Sequence, residues 1–301
     1  MVAKPDHIEF ADGTTIPILY EDRAVLVIDK PAGWMLAPDS WNRTSRNLQR
    51  TLERSVKAGD WWARSRQLKF IRYVHRLDAG TTGILLLVKS PGAIHPYSRL
   101  FVGRHVEKRY LAVVRGVPAQ TTWTCELPVA RHRRLRGVMK VDLREGKPAE
   151  TRFRVLEAGP DRSLIEAQPL TGRTHQIRLH LAAAGYPILG DELYSTRPHL
   201  VQPKAAGKGS TPPSRNQQSI LAQPARTRLD VPVASAATPS DTVPALALRA
   251  VFLAYTDPFT GKKVQILAPF DAFVRAYGFK PESVPVLEWG LTQSERASAC
   301  A

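Results

Sequence analysis

The sequence predicts an α+β fold, a mostly antiparallel, mixed β-sheet flanked by helices. Short apolar runs bounded by Gly- and Pro-containing turns are typical of buried strands. Apolar residues repeated every three or four positions indicate helices. A turn signal at residues 257–261 favours an antiparallel hairpin near the end of the chain. The predicted strands are residues 24–28, 84–88, 107–116, 163–168, 249–255 and 263–268, and the predicted helices are 44–58, 96–103 and 174–184.

The first two helices are predicted from their end signals. In residues 44–58, Thr44 or Ser45 can cap the helix and Gly59 ends it. Its basic face is interpreted as solvated. After the strand at 84–88, Ser90-Pro91 could start a helix, but Pro96 conflicts with one continuous helix. We therefore expect the second helix to run from Pro96 to about Gly103.

The third helix is predicted from its end signals and its apolar stripe. Thr174 is its expected N-cap, and Gly185 ends it. Ile177, Leu181 and Ala184 form its apolar stripe, and Arg178 lies away from that stripe.

Composition limits the classes of protein. The chain has 301 residues, of which 43% are hydrophobic and 23% charged, as in soluble proteins with one large or two ordinary domains. No apolar run is long enough to span a bilayer, and residues 1–7 lack the apolar core of a secretory signal. Two cysteines without a C-x-x-C spacing argue against a disulfide framework or a cysteine-based zinc site, so we expect a cytoplasmic protein.

The net charge of +16 and the pI near 10.2 favour a polyanionic partner. Nucleic acid ranks ahead of membrane because no amphipathic anchor stands out. The alternative is a basic protein from a high-GC genome. Residues 131–154 are especially basic and predict a hairpin or paired strands, either facing RNA or forming a solvated edge.

The predicted domain organisation follows the composition. Residues 1–15 are an N-terminal extension, 16–197 with 245–279 form the main folded domain, and 280–301 form a tail. Residues 198–244 are rich in Pro, Ser, Thr, Ala and Gln with few large apolar side chains. Such a segment has little to bury, so we expect a disordered insertion.

One stretch, residues 73–88, organises the rest. Arg76 and Asp78 lie two residues apart, a turn rich in Gly and Thr follows (Ala79–Gly83), and Ile84–Val88 reads as a buried strand. Asp78 is therefore expected at the edge of a core strand. Taken alone, Asp78 could equally be a turn cap.

The order of residues in this stretch distinguishes between those two interpretations. His75-Arg-Leu-Asp78-x-x-Thr-Thr-Gly-x-Leu-Leu-Leu resembles the catalytic motif of RNA pseudouridine synthases of the RluA family. Three other segments resemble motifs of the same family in the same order. They are the Glu-Asp strand ending in Lys30-Pro-Ala-Gly33, Lys108-Arg-Tyr110-Leu-Ala, and Thr171-Gly-Arg-Thr-His-Gln-Ile-Arg178 with the following Pro187-Ile-Leu-Gly190-Asp191.

The resemblance covers roughly residues 16–197 and 246–275. It implies the pseudouridine synthase catalytic fold with a central active-site cleft, and isomerisation of specific uridines in structured rRNA or tRNA. Asp78 would be the nucleophile, Tyr110 would stack on the target base, and Arg178 would pair with Asp78. Arg76 would fill the gap left by the flipped uridine. Because few residues precede the first motif, we expect the catalytic domain itself to hold the RNA.

Other residues near the motifs are expected to bind RNA. These are His75, Arg173 and His175, with Arg173 as a second candidate partner for Asp78. His175 and His180 are five residues apart, which is wrong for paired metal ligands on one helix, so both are interpreted as hydrogen-bonding or RNA-facing residues. We expect no metal, no cofactor and a monomer.

The chemistry fits these residue types. Isomerisation breaks the glycosidic bond, rotates the base and joins its C5 to the sugar, and it needs a carboxylate either to attack or to remove a proton. An arginine beside a carboxylate favours its ionised form. Flipping a base out of a stack costs a few kcal/mol, which an aromatic platform and an inserted side chain offset.

Three other functions compete with this one. A non-catalytic RNA-binding protein with the same fold would normally have lost Asp78 or Tyr110. A zinc deaminase needs H-x-E with P-C-x-x-C, and neither occurs. A glycoside hydrolase needs a second facing carboxylate, for which Glu21 or Asp22 could be proposed.

Overall fold

A computed structural model describes residues 3–36, 46–201 and 246–290. Within those ranges, no helix is long and apolar enough to cross a membrane. The proposed caps Thr44 and Ser45 lie outside the described residues, as do most of the predicted insertion and the end of the tail.

Thirteen strands lie in the described ranges. They are β1 His7–Glu9, β2 Thr15–Glu21, β3 Val25–Lys30, β4 Arg72–Tyr73, β5 Thr82–Val88, β6 Val106–Arg115, β7 Thr122–Cys125, β8 Val129–Arg131, β9 Met139–Val141, β10 Thr151–Ala158, β11 Arg162–Pro169, β12 Leu248–Thr256 and β13 Lys263–Leu267.

Seven α-helices lie in the same ranges. They are α1 Leu48–Ala58, α2 Trp61–Arg64, α3 Pro91–Val102, α4 Gln176–Ala183, α5 Glu192–Ser195, α6 Pro198–Val201 and α7 Asp271–Ala276, and short 3-10 turns follow at Pro281–Ser283 and Val286–Trp289.

The chain divides into two compact units. The first unit comprises Met1–Tyr110 with Leu248–Ala301, and the second comprises Leu111–Ala247. Strand β6 carries the chain from the first unit into the second. Composition left one large domain or two ordinary domains open, and the resemblance predicted a single catalytic domain without this division.

In the first unit the strand order is β1-β2-β3-β5-β12-β6, with β13 beside β12 and β4 beside β5. Strands β2, β3 and β5 pair antiparallel, whereas β5 and β12 pair in parallel. In the second unit the order is β6-β11-β10-β7, and β8 pairs with β9 as a separate two-stranded sheet. The predicted mixed, mostly antiparallel sheet with flanking helices is confirmed.

The central strands of the first unit are buried on both faces. Every residue of Val25–Ile28 and Ile84–Val88 is buried, so neither segment shows polar alternation. One face packs on α1 through Leu48 and Leu52, and the other packs on α3 through Tyr97. This double packing fixes β5, and with it the turn that precedes β5.

Part of the segment expected as an N-terminal extension, residues 1–15, belongs to the sheet of the first unit. Strand β1 pairs with β2, and Ile8 is fully buried. Phe10 packs against Trp34, with ring centroids 5.6 Å apart. The His-Ile-Glu-Phe alternation is a half-buried edge strand, too short to recognise by pattern alone.

The boundaries at residues 198 and 279 also need correction. Helix α6 begins at Pro198, inside the expected insertion, and buries Leu200 and Val201. Beyond residue 279, Val284, Val286 and Trp289 are buried on the first unit, so the chain to residue 290 belongs to the fold.

The start predicted for the second helix at Pro96 was wrong. Helix α3 runs unbroken from Pro91 to Val102 with Pro96 inside it. Proline removes one backbone hydrogen bond in the middle of the helix. Tyr97 is fully buried and its hydroxyl bonds Asp257, and Ala93 is buried one turn earlier. Tertiary packing thus outweighs the local cost.

Candidate active site

The turn that carries Asp78 lies between β4 and β5. Leu77 is buried, which places the following residue, Asp78, at the partly exposed edge of the core. The backbone N–H of Thr81 donates to the carbonyl of Asp78 at 3.2 Å, closing the turn. The sequence prediction that Asp78 stands immediately before a buried strand agrees with this placement.

Lys30, the last residue of β3, forms hydrogen bonds to the turn that carries Asp78. Its Nζ donates to the carbonyl oxygens of Pro31, Ala79 and Thr81 at 3.0, 3.0 and 2.9 Å. The side chain is fully buried, and burial lowers the pKa of Lys30 to about 8, although the charge of Asp78 acts in the opposite direction. The Lys-Pro segment and the Asp78 turn therefore form one unit.

Tyr110 lies on β6 within the first unit. It packs against the cluster that includes Leu77, Ile84 and Leu86. Burial, and then the charge of Asp78, raise the pKa of the Tyr110 phenol above its ordinary value. The phenol is therefore neutral at physiological pH and sits within electrostatic range of the Asp78 carboxylate.

His75 and Arg76 lie on the same turn but differ in environment. The His75 ring stacks on Phe101 with centroids 4.4 Å apart, and its Nε2 accepts from the N–H of Leu86 at 2.9 Å. Burial, and then the charge of Lys108, lower the pKa of His75 to about 3, so the ring is neutral. Its hydrogen bond supports the turn, whereas the RNA contact expected for His75 remains a prediction. Arg76 is exposed and forms no ion pair with other described residues.

In the second unit, α4 begins at an unusual residue. His175, not Thr174 as predicted, is the N-cap, and its backbone is left-handed with φ of 56°. Its ring Nδ1 bonds the Tyr194 hydroxyl at 2.8 Å. Gln176 links the segment before α4 to the first turn of the helix, because its Oε1 accepts from the Arg173 N–H at 3.0 Å.

Arg178 is held by an acid that the sequence analysis had matched but given no role. Its Nε and Nη2 donate to the two carboxylate oxygens of Asp191 at 2.7 and 2.9 Å. Its guanidinium also lies 5.2 Å from the Tyr194 ring centre. Asp191 further caps α5 by accepting from the N–H groups of Leu193 and Tyr194. The expected pairing of Arg178 with Asp78 stays a prediction.

Arg173 is partly exposed, and its Nε donates to the Pro148 carbonyl at 3.0 Å. The rest of its guanidinium remains available, as a contact to RNA requires. Its proposed role as an alternative partner of Asp78 stays a prediction.

A family model described as RNA pseudouridylate synthase matches residues 24–183, more than half of the chain. The chain belongs to the RNA pseudouridine synthase family, in its RluA branch. The match includes Lys30, Asp78, Tyr110 and Arg178 and ends before Asp191 and Tyr194.

Individual relatives agree with the family assignment. An RNA pseudouridine synthase of Chlorobaculum parvum is 34% identical over 257 residues, covering 84% of this chain and 70% of the relative. A ribosomal large subunit pseudouridine synthase C of Haemophilus ducreyi is 36% identical over 191 residues, covering 63% of this chain and 56% of the relative. The chain thus matches little more than half of the second protein.

Among solved structures, human RNA pseudouridylate synthase domain containing 1 superposes with a TM-score of 0.54 at 25% identity, covering 84% of this chain and 83% of that one. The pseudouridine synthase fold implied by the motifs is therefore confirmed.

The two acids considered for a glycoside hydrolase have structural partners. Glu21 pairs with Arg66 and Lys89, each at 2.8 Å. Asp22 accepts from the N–H groups of Ala24 and Val25 at 2.7 and 2.8 Å. Both carboxylates have structural roles at the β2–β3 turn of this pseudouridine synthase, which disfavours a glycoside hydrolase.

His180, expected to hydrogen-bond or to face RNA, is a buried structural residue. Its Nδ1 lies 3.0 Å from the Thr151 hydroxyl and its Nε2 lies 2.8 Å from the Leu127 carbonyl. Burial lowers the pKa of His180 to about 4.

Because the folded-state pKa of His180 is depressed below its unfolded value, the unfolded chain binds the proton first as pH falls. We expect the free energy of unfolding to fall by about 2 kcal/mol between pH 7 and pH 5 through this residue. Urea unfolding of the His180→Gln variant should show a flatter pH dependence than wild type. An equally steep dependence would assign the acid sensitivity to other groups.

Removing the charge of Asp191 should loosen Arg178. In the Asp191→Asn variant a neutral amide replaces the carboxylate, and the nearly buried Arg178 guanidinium loses the counter-charge of Asp191. Breaking such a pair costs about 3 kcal/mol, so we expect a lower melting temperature and slower turnover. Glu192→Gln, at the exposed neighbouring position, is the matched control and should change neither. Equal melting temperatures for the two variants would contradict the role given to Asp191.

Proposed function

We propose that this chain converts specific uridines in structured RNA to pseudouridine, with Asp78 as the catalytic carboxylate. The observation that carries the proposal is a single arrangement in the first unit. Asp78 stands on a turn held by two hydrogen bonds from Lys30 to the carbonyl oxygens of Ala79 and Thr81, and its charge acts on the neutral phenol of Tyr110. A rigid carboxylate beside an aromatic ring is what base isomerisation requires.

The reaction balances without an added reagent. The bond between uracil N1 and the sugar C1′ breaks, the base rotates, and C5 bonds C1′. C5 loses its proton and N1 gains one, so the product has the composition of the substrate. Asp78 either attacks C1′ or removes a sugar proton to start bond cleavage, and the proposal covers both routes.

Tyr110 and Arg76 are proposed to handle the flipped nucleotide. A neutral phenol gives the extruded uracil a stacking platform, which offsets part of the cost of unstacking. Arg76 is exposed on the Asp78 turn, where it can occupy the space that the base leaves in the RNA. The hydrogen bond from the Leu86 N–H to His75 fixes the residue that precedes Arg76 on the turn.

Arg178 is proposed as the cation that keeps Asp78 ionised, as the family resemblance implies. What supports this is its rigidity, because the bidentate pair with Asp191 and the Tyr194 ring hold the guanidinium in one orientation. Arg173 and His175, close to it in the sequence, are proposed to contact RNA.

The substrate is proposed to be ribosomal RNA, with transfer RNA as the other structured RNA in view. The name of the Haemophilus ducreyi relative refers to the large ribosomal subunit. Pseudouridine mapping in RNA from a deletion strain and its parent tests this directly. Loss of one or a few sites, restored by the wild-type gene but not by an Asp78→Asn copy, is expected. An unchanged map would contradict the proposed function.

RNA binding should depend on phosphate contacts made by the loop between β8 and β9. Arg133, Arg134 and Arg136 are exposed there, and the Arg133–Glu145 pair is solvent-accessible, so it competes little with phosphate. Affinity for single-stranded RNA falls with a log–log salt slope of roughly −0.7 per neutralised phosphate. Replacing the three arginines with Ala should flatten the slope by about one to two units.

The matched control removes three exposed charges from α1, in the Arg50→Ala, Arg54→Ala, Lys57→Ala variant. That face was interpreted as solvated, so the salt slope should stay at the wild-type value. Filter-binding titrations at several salt concentrations compare the two triple variants. Equal slopes for both would show that the β8–β9 loop is only a charged edge.

A further inference from the structure

Lys108 is a cation that the proposed chemistry has not yet used. It lies on β6 two residues before Tyr110, so the two side chains leave the same face of the strand. Two residues of a strand span about 6.6 Å. Lys108 therefore stands beside the aromatic platform proposed for the flipped base.

The neighbouring acid does not neutralise Lys108. Glu107 leaves the opposite face of β6, where its Oε1 accepts from the Nη2 and Nε of Arg109 at 2.6 and 2.9 Å. Arg109 in turn lies over the Trp289 ring, 5.5 Å from its centre. The charges of that face are satisfied among themselves.

The groups on the side of Lys108 do not supply an anion either. His75 feels the charge of Lys108 and is neutral, because its Nε2 accepts from a backbone N–H. Tyr110 keeps its proton. Among the described residues, Lys108 forms no hydrogen bond and no ion pair, although it is partly buried and burial lowers the pKa of Lys108 to about 8.

Lys30 shows how a buried lysine is stabilised when its role is structural. Three carbonyl oxygens surround the Lys30 ammonium within 3.0 Å. Lys108 has no comparable set of acceptors among the described residues, so its partly desolvated ammonium group can bind an anion. Burying a charge without a partner is energetically unfavourable, so packing alone does not account for a lysine at this position of the strand.

We propose that Lys108 binds a backbone phosphate flanking the target uridine when that nucleotide is flipped onto Tyr110. The inference rests on the proposed function and adds the group that anchors the extruded nucleotide. An RNA nucleotide cannot leave its stack without moving the phosphates on either side of it. A cation next to the base platform would bind one of those phosphates and orient the uridine towards Asp78.

The test pairs protein variants with altered RNA. The probe is a fragment of the RNA whose pseudouridine depends on this protein, made with an ordinary backbone or with a neutral methylphosphonate at the phosphate on either side of the target uridine. The proteins are wild type, Lys108→Met, Lys108→Arg and, as matched control for one lost charge, Lys69→Met at an exposed site. Dissociation constants and single-turnover rates are measured, and melting temperatures confirm folding.

We expect Lys108→Met to lose roughly 10- to 100-fold in rate over dissociation constant on the ordinary RNA, the value of a charged hydrogen bond. Lys108→Arg should recover most of that loss, and Lys69→Met should match wild type. At one of the two positions, methylphosphonate should lower the rate over dissociation constant of wild type by a similar factor. It should not lower that of Lys108→Met any further, as in a double-mutant cycle.

Independent losses at both positions would overturn the inference, as would wild-type behaviour of Lys108→Met. A loss that Lys108→Arg does not recover, with a lowered melting temperature, would show that Lys108 is structural. In each of these cases wild type still forms pseudouridine, so the proposed function stands. A wild-type protein that modifies no RNA would instead remove both.

Discussion

The Asp78→Asn variant should lose more than about a thousand-fold in the rate of pseudouridine formation while keeping its fold and its affinity for RNA. The substitution is isosteric, and Leu77 and Thr81 position the turn through packing and a backbone hydrogen bond. Only the charge and nucleophilicity of one partly buried side chain change. Single-turnover assays with saturating RNA measure the rate, and filter binding measures the affinity.

Two results separate this role from a structural one. A melting temperature close to wild type is expected, because the two hydrogen bonds from Lys30 to the turn are accepted by the backbone carbonyls of Ala79 and Thr81 and persist in the variant. Turnover within tenfold of wild type would remove Asp78 from the catalytic step. The alternative of a non-catalytic RNA-binding protein predicts equal, negligible turnover for wild type and variant.

Gly83→Ala should cause the largest loss of stability. Gly83 is the second residue of β5 and has φ of 104°, and a Cβ there would lie 2.0 Å from the carbonyl oxygen of Ala250 on β12. The parallel pairing of β5 with β12 would have to open. Backbone strain and lost pairing together cost about 3 to 5 kcal/mol, equivalent to a fall of roughly 10 °C in melting temperature.

Gly92→Ala is the matched control in the same unit. Gly92 lies in the first turn of α3, and no atom lies within 4 Å of the position that its Cβ would take. Alanine favours helix there, so stability should stay equal or rise slightly. Similar melting temperatures for the two variants would contradict the close approach of β5 and β12.

The strands and the Asp78 turn could be predicted because their signals are local. Ile84–Val88 is apolar without interruption and follows a turn, so it indicates a buried strand whatever its neighbours are. The same locality made the Pro96 prediction wrong. The fully buried Tyr97 side chain and its bond to Asp257, 160 residues away, stabilise the helix through the proline.

The supporting residues could not be predicted because their partners are distant in the sequence. Lys30 reaches carbonyls about fifty residues later, and nothing in a strand-ending Lys-Pro announces that contact. Asp191 stood in a matched motif, but its pairing with Arg178 depends on how α5 packs against α4. The His175 cap was missed because a left-handed backbone at a helix start has no sequence signal outside glycine and asparagine.

The most direct test is tritium release from RNA labelled at C5 of uridine. Isomerisation replaces the C5–H bond with a C5–C1′ bond, so each turnover releases one tritium to water, while hydrolysis of the glycosidic bond releases free uracil instead. Purified wild-type protein, without added cofactor, should release tritium in proportion to the pseudouridine formed, and the Asp78→Asn variant should release none. Equal release by both proteins, or free uracil as the product, would contradict the isomerase mechanism centred on Asp78.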